Sequence, residues 1–379
     1  MHKVLHPKKS LNTVLIKPAG PDCNMACTYC FYLEKKKLYP NSTVHRMSEE
    51  TLEVMIQQVM SQTGQQVSFD WQGGEPTLMG LSFFQKAVEL QQSYGHRQLV
   101  SNGLQTNGLL IDRTWARFLG EYNFLVGLSL DGPEHIHNHY RLLSSGADSW
   151  SRVMDSGKIM QDSGVAVNAI SVISDYSAKF PEEIYAFHKK MGFPYMQFIP
   201  CVETDPSDPK KAAPFSVSGE NYGQFLCTLF DQWLNDFQNE LPTTSIRFFE
   251  SLLCSYAGMG SPQCTLLKEC GVYVVVEHNG DVYSCDFFVE PKWKLGNIMS
   301  SRLVDMLNST KQREFGRLKA RLPELCKECR WLRFCRSGCV KDRIRDPKDN
   351  NLNHFCQGYK EFFKHADSRL KHLAEKAKR

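Results

Sequence analysis

Three thiols stand within eight residues near the start of the chain: Cys23, Cys27 and Cys30, in Cys-Asn-Met-Ala-Cys-Thr-Tyr-Cys. Iron–sulfur and zinc sites closed by protein usually take four ligands. This C-x3-C-x2-C group is one ligand short, so it would leave one metal atom open to bind something else. Tyr29, between the last two thiols, and Phe31-Tyr32 after them can shield such a group from water. A zinc knuckle lacking a ligand, or three ordinary buried cysteines, are the competing readings. The spacing, directly after an apolar run, argues against both.

Other stretches could work beside it. Gln72-Gly73-Gly74-Glu75-Pro76 offers glycines that let a ligand approach the backbone, and a carboxylate suited to an ammonium group. A plain turn with a solvated Glu75 is the alternative. Ser129, Asp131 and Arg141 bring a hydroxyl, a carboxylate and a guanidinium, which suit a ribose and a carboxylate. The plain alternative is a turn at Asp131-Gly132-Pro133 and a surface arginine. His135, His137 and His139 alternate nearby, but nothing completes a metal site, and a solvated loop is expected.

Eight of the fourteen cysteines fall in the last third: Cys264, Cys270, Cys285, Cys326, Cys329, Cys335, Cys339 and Cys356. Eight thiols make two four-ligand sites. The spacing leaves zinc and iron–sulfur both open. Cys201, Cys227 and Cys254 remain and are read as packing residues. Asp286 follows Cys285 directly. On a strand the two would point to opposite faces, so Asp286 need not touch a cluster. The flanking Phe287 and Phe288 would reduce its solvation and favour a raised pKa, as suits a base.

These residues need a scaffold. The 379 residues suggest two or three domains, and 42% hydrophobic with 23% charged residues describe a soluble globular chain. A net charge of +4 gives no reason to expect nucleic acid or a membrane as partner. The apolar stretch Thr13–Ile16 is too short for a signal peptide, and no apolar run approaches the ~18 residues that span a bilayer. A reducing, cytoplasmic setting follows, with thiols as metal ligands rather than disulfides, under low oxygen.

Apolar runs read as strands at Thr13–Lys17, Val67–Trp71, Gln98–Val100, Phe124–Leu130, Val165–Ile173 and Tyr195–Pro200. Helical patterns alternate with them: Glu49–Gln62, capped by Ser48 and with Leu52, Met55, Ile56 and Val59 on one face, then Leu81–Tyr94, Asp112–Leu119, Ser149–Ser163 and Pro181–Met191. Such alternation predicts parallel strands with right-handed crossovers, and the motifs lie just after strands, where α/β barrels place active sites. Six units are too few for a full barrel, so a partial TIM-like (β/α)6 barrel is predicted. A loop over Asp205–Ser218 and helices near Glu220–Phe237 and Ile246–Tyr256 follow. Then comes a cysteine-rich part with a hairpin, Val272–Glu277 and Val282–Phe288, and a basic terminal helix, Tyr359–Lys378. The division is set at residues 1–240 and 241–379.

The thiol loop resembles that of radical S-adenosylmethionine (SAM) enzymes, C-x3-C-x-aromatic-C. The resemblance implies a partial barrel and a 4Fe-4S cluster on Cys23, Cys27 and Cys30. It also implies SAM as co-substrate, with Gly74 and Glu75 serving its amino group and Tyr29, Ser129, Asp131, Arg141 and Val202 lining its site. The C-terminal cysteines resemble the SPASM extension, whose ligands interleave: Cys264, Cys270, Cys285 and Cys339 on one auxiliary 4Fe-4S cluster, Cys326, Cys329, Cys335 and Cys356 on the other. Tyr283–Phe288 resembles the CDF/Y stretch of anaerobic sulfatase-maturating enzymes. There the aspartate, here Asp286, is the proposed proton acceptor.

The likeness runs from about Leu11 to Leu370, through FLVGLSLDGP, IRFFE, KWKLGNI and CQGYKEFF, with no departure at a motif position. It implies a SAM-derived radical that takes a hydrogen atom from a Cys or Ser of an unfolded sulfatase segment, giving Cα-formylglycine. A flavodoxin or ferredoxin would supply electrons. Another radical SAM/SPASM peptide modifier, and more distantly a non-catalytic zinc-binding adaptor, are the alternatives.

Overall fold

The computed structural model describes residues 8–208, 211–344 and 352–377; residues 209–210 of the expected loop and Lys378 of the expected terminal helix lie outside them. Strands β1 (Thr13–Lys17), β2 (Gln66–Trp71), β3 (Leu99–Thr106), β4 (Leu125–Ser129), β5 (Ala166–Ile173) and β6 (Tyr195–Pro200) pair in sequence order, all parallel. The crossovers are α1 (Glu49–Gln62), α2 (Leu81–Tyr94), α3 (Arg113–Glu121), the pair α4 (Glu134–Tyr140) and α5 (Trp150–Asp162), and α6 (Pro181–Lys190). A short β7 (Ser245–Ile246) extends the β6 edge, between α7 (Gly219–Asn235) and α8 (Arg247–Ala257).

Beyond β1 the sheet continues into the cysteine-rich part. β8 (Val274–Glu277) pairs parallel with β1, and β9 (Asp281–Tyr283) and β10 (Lys294–Asn297) follow antiparallel. The hairpin is therefore an extension of the barrel sheet, which pattern alone did not foretell.

The main core lies between this sheet and its helices. Leu52, Met55, Ile56 and Val59 of α1 are fully buried in one cluster with Phe69 and Trp71, and Ser48 Oγ caps α1 by accepting from Thr51 N. A second core joins α7, α8 and the terminal helix Cys356–Lys376 through Phe230, Trp233, Phe249 and Phe362. Among the described residues no helix is long and apolar enough to cross a membrane.

Three expectations need correction. β3 runs on to Thr106, well past the expected strand end at Val100. The three histidines lie on α4, and His137 is fully buried against Ser149 (Nε2 to Oγ, 3.0 Å), while His135 and His139 are exposed. The second hairpin strand stops at Tyr283, and Asp286–Phe288 forms a single tight helical turn closed by Phe288 N donating to Cys285 O.

Candidate active site

β1 delivers Lys17 to the C-terminal edge of the sheet, where the chain turns into the thiol loop. Gly20 N donates to Lys17 O (3.0 Å) with Gly20 at a φ of +51°. The loop is fastened on two sides. Ala26 N donates to Leu142 O (2.9 Å) and Thr28 N to Tyr140 O (3.1 Å), laying it along the segment around Arg141. Gly74 N donates to Gly20 O (2.8 Å) and Glu75 N to Asp22 O (2.7 Å), tying it to the loop after β2. A Cβ on Gly74 would lie 1.9 Å from Asp22 O, so glycine is required by this close passage.

Glu75 is buried, and its carboxylate is used by the protein itself. Oε1 accepts from Thr77 N (3.0 Å), Thr77 Oγ1 (2.6 Å) and Thr106 Oγ1 (2.8 Å), and Oε2 from Asn107 N (2.7 Å). Burial raises its pKa and these bonds oppose the rise. Instead of standing free for an ammonium group, Glu75 links the loops after β2 and β3. Asn107, to which the sequence reading gave no role, donates to Asn24 Oδ1 (2.7 Å), with its Nδ2 3.7 Å from Cys23 Sγ. Its signal was its place just after a strand, beside Gly108.

Tyr29, Asp131 and Arg141, which the family resemblance placed in one site, come together. Asp131 accepts from Tyr29 O–H and from Val172 N (2.9 Å) and is ion-paired with Arg141 (Nε to Oδ1, 3.0 Å), while the Arg141 guanidinium lies 5.4 Å from the Tyr29 ring centre. Arg141 Nη1 lies 4.0 Å from Cys27 Sγ. Ser129 is buried at the end of β4, and Val202 is buried with its carbonyl accepting from Lys341 Nζ (2.7 Å). Lys341 also pairs with Glu203 (2.7 Å), so the cysteine-rich part is bonded to the loop after β6.

Asp286 opens the turn just after Cys285, at the end of the hairpin. Its Oδ1 accepts from Tyr273 O–H (2.9 Å) and lies 3.3 Å from Cys285 Sγ. The expectation that it would point away from its neighbour fails because the chain leaves the strand before Cys285 and coils. Phe31, just after Cys30, packs on Phe287 at 4.7 Å, joining the thiol loop to this turn. Lys17 was overlooked by the sequence reading. It is 1% exposed, and its ammonium stands 3.7 Å from the Tyr32 ring centre.

The remaining thiols form two sets. Cys326, Cys329, Cys335 and Cys356 line one small cavity with Trp331, Tyr359 and Phe363. Cys339 is electrostatically coupled to Cys264 and Cys270, and Cys285 to Cys339. All fourteen cysteines are free. Burial pushes the thiols of Cys23 and Cys335 up to about 12 and that of Cys27 up to about 11, so a metal must displace their protons. Among the described residues no three His, Cys, Asp or Glu side chains crowd onto one point as a single ion requires, whereas a four-iron cluster takes its thiolates from around a larger volume. The thiol sets fit such clusters. Cys201 is buried, and Cys227 packs against the second core, as expected of residues outside these sets.

The radical SAM superfamily profile matches residues 18–187, and that of an iron–sulfur cluster-binding domain, SPASM, matches residues 268–330. The chain is 42% identical over 369 residues to the serine-type anaerobic sulfatase-maturating enzyme of Bacteroides thetaiotaomicron, covering 93% of this chain and 88% of that protein. It is 41% identical over 374 residues to the cysteine-type enzyme of Clostridium perfringens, covering 97% of this chain and 99% of that one. A solved structure, native anSMEcpe with bound AdoMet and Cp18Cys peptide, superposes with a TM-score of 0.88 at 39% identity, covering 96% of this chain and 99% of that chain. The chain belongs to the anaerobic sulfatase-maturating enzymes of the radical SAM superfamily.

Proposed function

We propose that this chain oxidises one Cys or Ser side chain of a sulfatase polypeptide to Cα-formylglycine without oxygen. The observation that carries the reading is a ring contact between two segments: Phe31, next to Cys30 of the thiol loop, packs on Phe287, next to Asp286. Relatives of both serine and cysteine type support either side chain as substrate.

In this reading Cys23, Cys27 and Cys30 hold the first 4Fe-4S cluster. Cys264, Cys270, Cys285 and Cys339 hold the second, and Cys326, Cys329, Cys335 and Cys356 the third. SAM lies beside the first, lined by Tyr29, Gly74, Ser129, Arg141 and Val202, with Glu75 and Asp131 bracing those contacts from behind. Bound there and reduced, SAM supplies a carbon radical able to take a hydrogen atom from the substrate β-carbon.

The protein supplies placement. Arg141 and Tyr29 are locked on Asp131, so neither side chain needs ordering when SAM arrives. Tyr273 holds Asp286 by Oδ1, leaving Oδ2 to accept the proton of the substrate thiol or hydroxyl. Phe31 and Phe287 exclude water from the reacting carbon. Functionally the chain divides into a barrel, residues 1–240, and a cluster-bearing part, 241–379. A flavodoxin or ferredoxin would supply electrons, in the cytoplasm.

The test is anaerobic incubation of the iron-loaded chain with SAM, a reductant and short sulfatase-motif peptides bearing Cys or Ser. Mass spectrometry should detect conversion to the aldehyde with release of 5′-deoxyadenosine. An internal crosslink in the peptide, or release of 5′-deoxyadenosine without aldehyde, would overturn the proposal.

A further inference from the structure

Lys17 is a buried lysine whose ammonium has no hydrogen-bond or ion-pair partner among the described residues. It is 1% exposed, and the close contacts of its ammonium are the rings of Tyr32 (3.7 Å) and Phe31 (5.8 Å). Glu277 stands opposite it in the β1–β8 ladder, but that carboxylate accepts from Tyr32 O–H instead. An ammonium so largely removed from water with its three donors unspent is costly, and such a group persists where a bound molecule completes its contacts. Phe31 follows Cys30 and packs on Phe287, the neighbour of Asp286, so the ammonium beside Phe31 and Tyr32 lies close to the thiol loop and to the base. Burial lowers its pKa, and the charges of Asp286 and Glu277 oppose that shift.

We infer that Lys17 is a catalytic residue whose ammonium stabilises negative charge on the substrate heteroatom. The step rests on the reading of Asp286 above. Once a hydrogen atom has left the β-carbon, the S–H or O–H bond breaks and its proton passes to Asp286. Substrate is left with one unpaired electron and one negative charge shared between carbon and sulfur or oxygen. The C=S or C=O bond is complete when one electron passes to a one-electron acceptor, here the auxiliary clusters. A cation fixed beside the heteroatom favours the charged state before that electron leaves, as donors in an oxyanion hole do. An alcohol is a far weaker acid than a thiol, so serine should depend on Lys17 more than cysteine does.

The experiment compares Lys17→Met and Lys17→Arg with wild type, each iron-loaded, on matched Cys and Ser peptides. Iron content, peptide Kd and the ratio of 5′-deoxyadenosine to aldehyde are read beside turnover. For Lys17→Met we expect unchanged iron content and peptide Kd, and a rise of at least tenfold in deoxyadenosine per aldehyde. Turnover should fall about tenfold on the Cys peptide and at least a hundredfold on the Ser peptide, with Lys17→Arg recovering part of both. Equal losses on the two peptides, or an unchanged ratio, would overturn the inference. If Lys17→Met loses iron, the same comparison made on Lys17→Arg decides, with equal losses again overturning it. Wild type that makes no aldehyde would instead overturn the proposed function.

Discussion

The two halves of this chain reach order by different routes. In the barrel, the site around the thiol loop is built by packing and by hydrogen bonds between protein groups. Glu75 accepts four bonds from protein donors, Asp131 is held by Tyr29, Val172 and Arg141, and the sheet rests on one large apolar cluster. In the cysteine-rich half, the thiols ride on pieces as short as Glu324–Lys327 and Leu332–Cys335, four residues each, too short to hold themselves. The apolar cluster beside Cys270 and Cys285, made of Phe288, Trp293, Phe315 and Val340, is small, while Trp331 and Phe334 lean on the second core. The difference teaches that one half holds a cofactor ready and the other is completed by its cofactors.

The largest effect that would sharpen this contrast comes from Cys23→Ala. It should abolish SAM cleavage while leaving the melting of the barrel nearly unchanged; 5′-deoxyadenosine at the wild-type rate would break it. Asp286→Asn should keep SAM cleavage but lower aldehyde yield at least a hundredfold, within the range expected for a lost general base. Matched aldehyde yields would remove Asp286 from its role. Chelation of iron should raise hydrogen exchange across residues 324–344 by orders of magnitude and leave β1 to β6 protected. Equal exposure of both halves would contradict the division of labour.

Acid should act in the opposite place. Burial depresses His137 well below its ordinary value and His188 to about 3, against 6.5. Both therefore bind protons more readily when unfolded, so their contribution is intact above pH 6.5 and lost as pH falls. The cost is about 1.4 kcal/mol per pH unit for each. Hydrogen exchange at pH 5 against pH 7.5 should show α4 and α6 loosening first. The smallest effect is that His188→Phe should blunt this acid sensitivity without touching iron content.

What was legible follows the same line. Thr13–Lys17 and Glu49–Gln62 were readable to the residue because their apolar spacing matches one period and Ser48 marks the cap. The thiol clusters stood out because cysteine spacing is local, but their division into ligand sets came from the family resemblance, since it joins cysteines far apart in the chain, such as Cys264 and Cys339. β3 was cut short because Ser101, Asn102 and Gly103 lack strand character. Asn102 is kept in place by Trp71 Nε1 (2.9 Å) and Gln91, contacts invisible to a local window. The turn at α4 depends on His137 meeting Ser149, and the pairing of β1 with β8 joins segments about 260 residues apart. Asp286 was placed on a strand because Val282–Phe288 alternates, and only the closed turn after Cys285 re-aims it. Lys17 escaped notice because a lysine ending a strand is ordinarily a surface residue; burial is a property of the assembled fold.

The most direct measurement is electron–nuclear resonance on oxygen-free, iron-loaded protein mixed with SAM labelled at its methionine nitrogen and carboxylate. The account predicts hyperfine coupling from both labels to a reduced cluster in wild type, lost in Cys23→Ala. No coupling in protein carrying about twelve irons per chain, or a first cluster with four protein ligands, would contradict it.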